Sequence, residues 1–323
     1  MILVTGGAGY IGSHFVKFLR KNNYDVVVFD NLSRGHKEAV PSDVAFEQVD
    51  ILDYEGLISA LSKYNVDAIV HFAAFAYVGE SVENPLLYYQ NNVVGSFTLI
   101  RTAVEKGIGK FVFSSTCSLY GNPEKVPISE SESVKPINPY AETKLVIEKM
   151  LRDVETAHGM KYTALRYFNA AGDDPDGAIG ESHDPEPHLI PIIMQTALGI
   201  REKLFVFGDD YPTKDGTAIR DYIHVNDLAD AHLRALNYLS EGGKSDVFNL
   251  GTGEGYSVLE MIAAAEKATG KEISYEITGR RAGDPAMLVA DNSKARKILG
   301  WQPKYGLQEI METAWNWHKE QRF

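Results

Sequence analysis

Tyr140 and Lys144 stand four residues apart in NPYAETKLVIEKML (138–151). Asn138 and Pro139 read as a helix start, which puts both side chains on one helical face. A phenol is a poor base at its ordinary pKa of about 10. An ammonium beside it favours the phenolate, so the pair could serve as a general base near neutral pH. On spacing alone, a solvated helix pair is the commoner meaning. Upstream, FSSTCSLYG (113–121) presents the hydroxyls of Ser114, Ser115 and Thr116 in succession. A hydroxyl next to a phenolate can relay a proton from a substrate alcohol. A hydroxyl-rich turn at a strand end is the plain alternative.

A second chemical signal lies at the start of the chain. VTGGAGYIG (4–12) contains two overlapping glycine patterns, one from Gly7, Gly9 and Gly12 and one from Gly6, Gly9 and Gly12. Either follows an apolar strand and opens a helix. That is the order in which backbone amides and a helix N-terminus hold a pyrophosphate. DVVVFDN (25–31) then places Asp30 at the end of the next strand, 18 residues past Gly12. This is close to the roughly 20-residue spacing of the carboxylate that binds a ribose diol. A carboxylate there repels a 2′-phosphate and favours NAD over NADP; nearby Arg34 weakens the preference slightly. Asp50, at the end of the third strand, could accept from an adenine amino group or could equally be a helix cap or loop carboxylate. Ala73 and Ala74, in HFAAFA (71–76), would let backbone approach a cofactor.

These residues need a frame. The apolar runs at 2–5, 25–30, 44–50, 67–73, 110–116 and 161–168 are continuous in Val, Ile and Phe, as suits strands buried on both faces. Amphipathic stretches such as 10–22 and 54–64 alternate with them. The alternation predicts an α/β, Rossmann-type doubly wound parallel sheet. The beat is lost after about residue 169: NAAGDDPDGAIGESHDPEPH (169–188) is rich in Gly, Pro and Asp and reads as a long loop, functional or disordered. We therefore expect a nucleotide-binding unit over 1–169 and a smaller α/β substrate-binding unit over 170–323, with about 213–240 packing back on the first.

Composition narrows the partners. The 323 residues carry 44 acidic and 32 basic side chains, a formal net charge of -12, which argues against nucleic-acid binding. No apolar run is long enough to span a membrane. The single cysteine, Cys117, excludes a disulfide framework and a cysteine-rich metal centre, so no metal site is expected. A reducing, cytoplasmic setting is the simple expectation, with no leader-like start.

The glycine loop, Asp30, Thr116, Tyr140 and Lys144, in this order, resemble the extended branch of the short-chain dehydrogenase/reductase superfamily. The likeness selects the register T-G-x-x-G-x-x-G, here Thr5, Gly6, Gly9 and Gly12. Further stretches are similar to the branch's 4-epimerases of UDP-hexoses: VGESVENPLLYYQNNVVG (78–95), RYFNAAG (166–172), FGDDYPTKDGTAIRDYIHVNDLADAH (207–232), FNLGTGEGYSVLE (248–260) and GRRAGDPA (279–286). The likeness implies transient oxidation of a UDP-sugar at C4 and return of the hydride to the opposite face. Tyr140 would be the base, Thr116 the relay, and Lys144 the group that holds the cofactor and lowers the tyrosine pKa.

Carried over residue by residue, the resemblance puts NAD on Gly6, Gly9, Tyr10, Ile11, Gly12, Asp30, Asn31, Asp50, Ile51, Phe72, Ala73, Ala74, Ala76, Asn91, Thr116, Tyr140, Lys144 and Phe168. It puts the UDP-sugar on Thr116, Tyr140, Asn169, Leu189, Phe207, Arg220, Arg281 and Asp284. It also implies a homodimer formed through helices at about 85–106 and 138–158. Three positions depart from the pattern. Ala76 stands where some members have a phosphate-reaching lysine, and His188 where some have asparagine. Leu288 stands where members confined to unacetylated sugars have tyrosine, which implies room for an N-acetyl group. The rivals are a UDP-glucuronate 4-epimerase, another sugar-nucleotide enzyme of the branch, or a non-catalytic NAD sensor. Dehydratases of the branch carry an Asp-Glu pair after the threonine, whereas Thr116 is followed by Cys117 and Ser118.

Overall fold

The computed structural model describes residues 1–281 and 284–323. Its centre is a seven-stranded, all-parallel sheet. Six strands come from the first half of the chain: β1 (Ile2–Thr5), β2 (Val26–Asp30), β3 (Ala45–Gln48), β4 (Ala68–His71), β5 (Lys110–Thr116) and β6 (Lys161–Tyr167). The seventh, Asp246–Leu250, pairs with β6 at the sheet's edge. The order is 246–250, β6, β5, β4, β1, β2, β3, so the winding reverses between β1 and β4. This switch point opens a crevice beyond the carboxyl ends of the strands, where ligands of such sheets bind.

The alternation of side chains along each strand explains why the runs are apolar throughout. Val4, Val28, Val70 and Val112 face one layer, with Phe15, Val16 and Leu19 of helix Tyr10–Lys21 and Leu228, Ala229 and Leu236 of helix Val225–Ser240. Leu3, Val27, Ile69, Phe111 and Phe113 face the other, against Leu57, Leu99, Ile147 and Leu151 from the helices Tyr54–Leu61, Gly95–Glu105 and Pro139–His158. The nucleotide-binding layer thus reclaims more of the later chain than 213–240. The edge strand Asp246–Leu250 and helix Ser293–Leu299 belong to it as well.

The remaining chain builds a second core. Helices Leu189–Ala197, Val258–Thr269 and Leu307–Lys319 contribute Ile193, Met194, Met261, Ala265, Ile310 and Met311 to it. Helix Val258–Thr269 has both ends specified locally. Ser257 and Glu260 form a capping box at its start, and Gly270, at φ 67, ends it. Short strands Ile219–Arg220 and Met287–Leu288 pair in parallel and set Leu288 opposite Arg220.

Candidate active site

Three glycines let the first loop fold tightly against the sheet. A Cβ on Gly6, at φ +73, would lie 2.5 Å from the Ala73 nitrogen, and one on Gly12 would lie 2.1 Å from the Gly6 oxygen. Loop, helix and the end of β4 therefore meet backbone to backbone. A Cβ on Gly9 would make an ordinary van der Waals contact with the Gly6 oxygen at 3.5 Å, so this position is less crowded than the other two. Helix Tyr10–Lys21 has no acidic residue in its first turn and, among the described residues, no side-chain cap at Gly9. Its first N–H groups remain available to an anion, as a pyrophosphate requires.

The crevice has two lobes that share Gly6 and Gly9. One is lined by Asp30, Asn31, Ile51, Phe72, Ala73, Ala74 and Asn91. The Asp30 carboxylate accepts N–H bonds from Ala8 at 3.0 Å and Leu32 at 2.8 Å, which fix it at the lobe's floor. Arg34 borders this lobe too, but its guanidinium pairs with Glu80 at 2.7 Å and stacks on Phe75 and Tyr77. Its charge is answered within the protein by Glu80. Asp50 stands beside the lobe, where it accepts from Asn31 and from the Leu52 N–H, both at 2.8 Å; the helix cap is Asp53.

The second lobe is a cavity of about 340 Å³, a size suited to a small-molecule ligand. Tyr10, Ile11, Gly12, Phe72, Ala74, Ala76, Thr116, Tyr140, Lys144, Phe168, Asn169 and Leu189 all border it. A two-lobed crevice with a ribose-height carboxylate, an open helix N-terminus and a small-residue wall fits a dinucleotide.

Tyr140 and Lys144 sit in the first two turns of helix Pro139–His158, started by the Asn138 side chain and Pro139. Both are buried. Lys144 donates to the Ser114 carbonyl at 2.8 Å and lies 5.9 Å from the centre of the Tyr140 ring. Burial pushes the Tyr140 phenol up to about 12, with the Thr116 hydroxyl pulling the other way. Burial lowers the Lys144 ammonium to about 7, opposed by Glu148. The expectation that Lys144 lowers the phenol's pKa is thus not met in the ligand-free site. Desolvation dominates both groups, and the lysine's hydrogen bond is made to a carbonyl. Thr116 Oγ1 accepts from the Ser118 N–H at 3.1 Å and keeps its own proton free to donate.

Below them runs a buried network that the sequence did not announce. Glu148 accepts from Ser115 at 2.6 Å and from Arg166 at 2.6 and 2.9 Å. Arg166 also donates to Tyr120, which donates to Asn249 on the added edge strand. It locks β5 to the helix that carries Tyr140. Asn92 does the same for the 72–77 loop. It accepts from the Phe75 N–H and donates to the Phe75 carbonyl and Thr143, from within a π-helical turn at Tyr89–Val94.

The residues expected around the nucleotide of the substrate are only partly brought into this cavity. Asn169 and Leu189 border it, while Phe207, Arg220, Arg281, Asp284 and Leu288 are not among its lining residues. Arg281 stacks over Phe207 at 4.4 Å, and Arg220 lies 4.0 Å from Asp284. Leu288 is buried with Cys117 and with Phe168, which itself borders the cavity. The 169–188 segment is an ordered wall. Tyr10 donates to the Gly172 carbonyl, and Glu181, His183 and His188 border the cavity together with Tyr77. The alternation E-x-H-x-x-E-x-H in the sequence was the signal for these residues.

A model of the NAD dependent epimerase/dehydratase family matches residues 2–251. A UDP-glucose 4-epimerase of Halalkalibacterium halodurans is 54% identical over 99% of this chain and 96% of its own. Among solved structures, UDP-glucose 4-epimerase from Brucella ovis in complex with NAD superposes with a TM-score of 0.95 at 49% identity, covering 97% of each chain. The UDP-Glc/GlcNAc 4-epimerase of Campylobacter jejuni does so with a TM-score of 0.87 at 46% identity over 99% of each.

Proposed function

The chain belongs to the NAD dependent epimerase/dehydratase family, and on that premise we propose that it interconverts UDP-hexoses that differ in configuration at C4. The observation that carries this reading is the meeting of Thr116, Tyr140 and Lys144 with the glycine loop on one cavity. The cofactor is NAD, which supplies the acceptor and donor of the C4 hydride. Asp30 holds the adenosine ribose, the amides at the start of helix Tyr10–Lys21 hold the pyrophosphate, and Lys144 holds the nicotinamide side.

Tyr140 takes the proton of the sugar 4-hydroxyl and gives it back once the 4-keto sugar has presented its other face, with Thr116 bridging sugar and phenol. A proton leaves and returns to one oxygen, so the group must be buried and fixed, as the Glu148–Arg166 network makes it. Firm grip belongs at the UDP end. Phe207 and Arg281 offer a stacked platform, Arg220 a charge for the diphosphate, and Asp284 an acceptor for a ribose. The division of labour follows: the sheet with 225–250 and 293–299 carries NAD, and the second core carries the UDP-sugar.

Leu288 favours a wider substrate range. Leucine in the wall behind Phe168 leaves more space than tyrosine, and we extend the proposal to UDP-N-acetylglucosamine and its C4 epimer; the C. jejuni relative named for both sugars supports it. Two copies pair through Val82, Leu86, Val94 and Phe97, apolar side chains left exposed on the 78–105 helices, with Leu86 81% exposed. The one cysteine is buried and unpaired, which suits the cytoplasm. No helix among the described residues is long and apolar enough to cross a membrane. The test is to supply UDP-galactose without added reductant and to follow UDP-glucose. Net reduction or oxidation of the sugar, or no conversion, would overturn the assignment.

A further inference from the structure

Glu181, His183, Glu186 and His188 are drawn together where the 169–188 segment enters helix Leu189–Ala197. One donor atom from each lies within 4.8 Å of the other three. His183 Nδ1 is 3.4 Å from Glu181 Oε1 and 3.5 Å from Glu186 Oε2. His188 Nδ1 is 2.7 Å from Glu181 Oε1 and 3.3 Å from Glu186 Oε1. A zinc ion bound tetrahedrally at about 2.0–2.1 Å has donor–donor edges of about 3.3–3.4 Å. With a different Glu186 oxygen facing each histidine, these nitrogen–oxygen separations run from 2.7 to 3.5 Å, a range that brackets such edges.

The second observation concerns His183. Its Nδ1 is sealed from solvent and, among the described residues, forms no hydrogen bond, although two carboxylates lie within 3.5 Å. Both carboxylates are nearly sealed too, at 6% and 3% exposed. Glu186 is oriented by the N–H of His188 at 2.9 Å, and the Tyr77 ring meets both imidazoles edge-on. Such surrounding contacts fix ligand direction in metal sites.

We propose that Glu181, His183, Glu186 and His188 bind one divalent transition-metal ion, with zinc the best match. Two imidazole nitrogens and two carboxylates suit zinc, whereas calcium and magnesium take oxygen sets. The single cysteine, Cys117, argues against a cysteine-rich site and has no bearing on this one. Four protein donors leave no open position, so the ion is structural. It pins the wall of the sugar cavity to the start of the helix that supplies Leu189 and Ile190. Loss of the ion loosens substrate binding and leaves the proton relay intact.

The test uses the full NAD-loaded chain without a histidine tag, stripped with a chelator, dialysed against zinc chloride and freed of excess. Elemental analysis is expected to find about one zinc per chain, and X-ray absorption a shell of nitrogen and oxygen at about 2.0–2.1 Å. Glu186→Gln and His183→Gln, with NAD content and circular dichroism unchanged, are expected to retain at least about tenfold less zinc and to raise KM more than they lower kcat. Failure of the wild type to keep zinc, a sulfur-containing shell, or equal retention by folded variants would each overturn the proposal. The wild-type measurement decides by itself if the variants do not fold.

Discussion

Lys144 donates a hydrogen bond to the Ser114 carbonyl at 2.8 Å, and its Nζ lies 5.9 Å from the centre of the Tyr140 ring. In the ligand-free chain this leaves an ammonium in a desolvated place, with its pKa lowered to about 7. Between that value and the ordinary one near 10.5, the unfolded chain binds a proton that the folded chain does not. Stability from this group therefore rises with pH above about 7, and the cost is largest below it. Lys144→Met is expected to stabilise the cofactor-free protein relative to wild type at about pH 6 and to lose that advantage by about pH 10. Urea unfolding of both proteins at the two pH values checks it. An advantage that grows with pH would show that the ammonium is well paired.

Tyr140→Phe keeps the ring and removes the acid–base oxygen. It should retain NAD and thermal stability, and lose about 10²–10⁴ of kcat, the usual worth of a positioned acid–base group. Steady-state rates with UDP-galactose and the absorbance of bound NAD measure the two halves. A variant with near-normal kcat would remove Tyr140 from the mechanism.

The phenol, at about 12 in the ligand-free site, is too protonated to act as a base near neutrality. A positive charge brought close to it favours the phenolate. Adding oxidised NAD should thus move the phenol's titration to lower pH, and kcat should fall as pH drops through the new value. Difference absorbance of tyrosinate, with Tyr140→Phe as the blank, reads the shift. An unchanged titration on loading would argue that proton transfer uses another group.

Glu148 and Arg166 are both nearly fully buried, at 7% and 6% exposed. Glu148→Ala leaves the guanidinium without its carboxylate and should cost about 3–5 kcal/mol of stability. Denaturant midpoints test this. Since Ser115 and the Tyr140 helix lose their shared anchor, kcat should fall as well, though Glu148 touches no substrate.

Leu288→Tyr places a larger, polar ring behind Phe168. Turnover of UDP-N-acetylglucosamine should drop about tenfold or more relative to UDP-glucose, within the range that small changes of pocket size produce. Equal loss on both sugars would mean that Leu288 supports the wall without selecting the substrate.

Short-range physics wrote much of this protein into its sequence. Strand, glycine loop, helix and Asp30 lie within 30 residues, and their order follows from what backbone amides and a carboxylate can hold. Tyr140 and Lys144 share a helical face because 3.6 residues make a turn. Local pattern also set the alternation of strands and helices, and the capping box at Ser257. Tertiary structure decided what depends on distance across the chain. Burial, not the neighbouring lysine, sets the Tyr140 pKa, because desolvation is a property of the packed surroundings. The sheet took its seventh strand from 246–250, as an edge with unpaired amides and carbonyls will when the chain returns to it. Glu148 found Arg166 and Ser115 only once β5, β6 and helix Pro139–His158 were in place. Such pairs leave no periodic trace, since each partner satisfies its charge through a contact that folding alone creates.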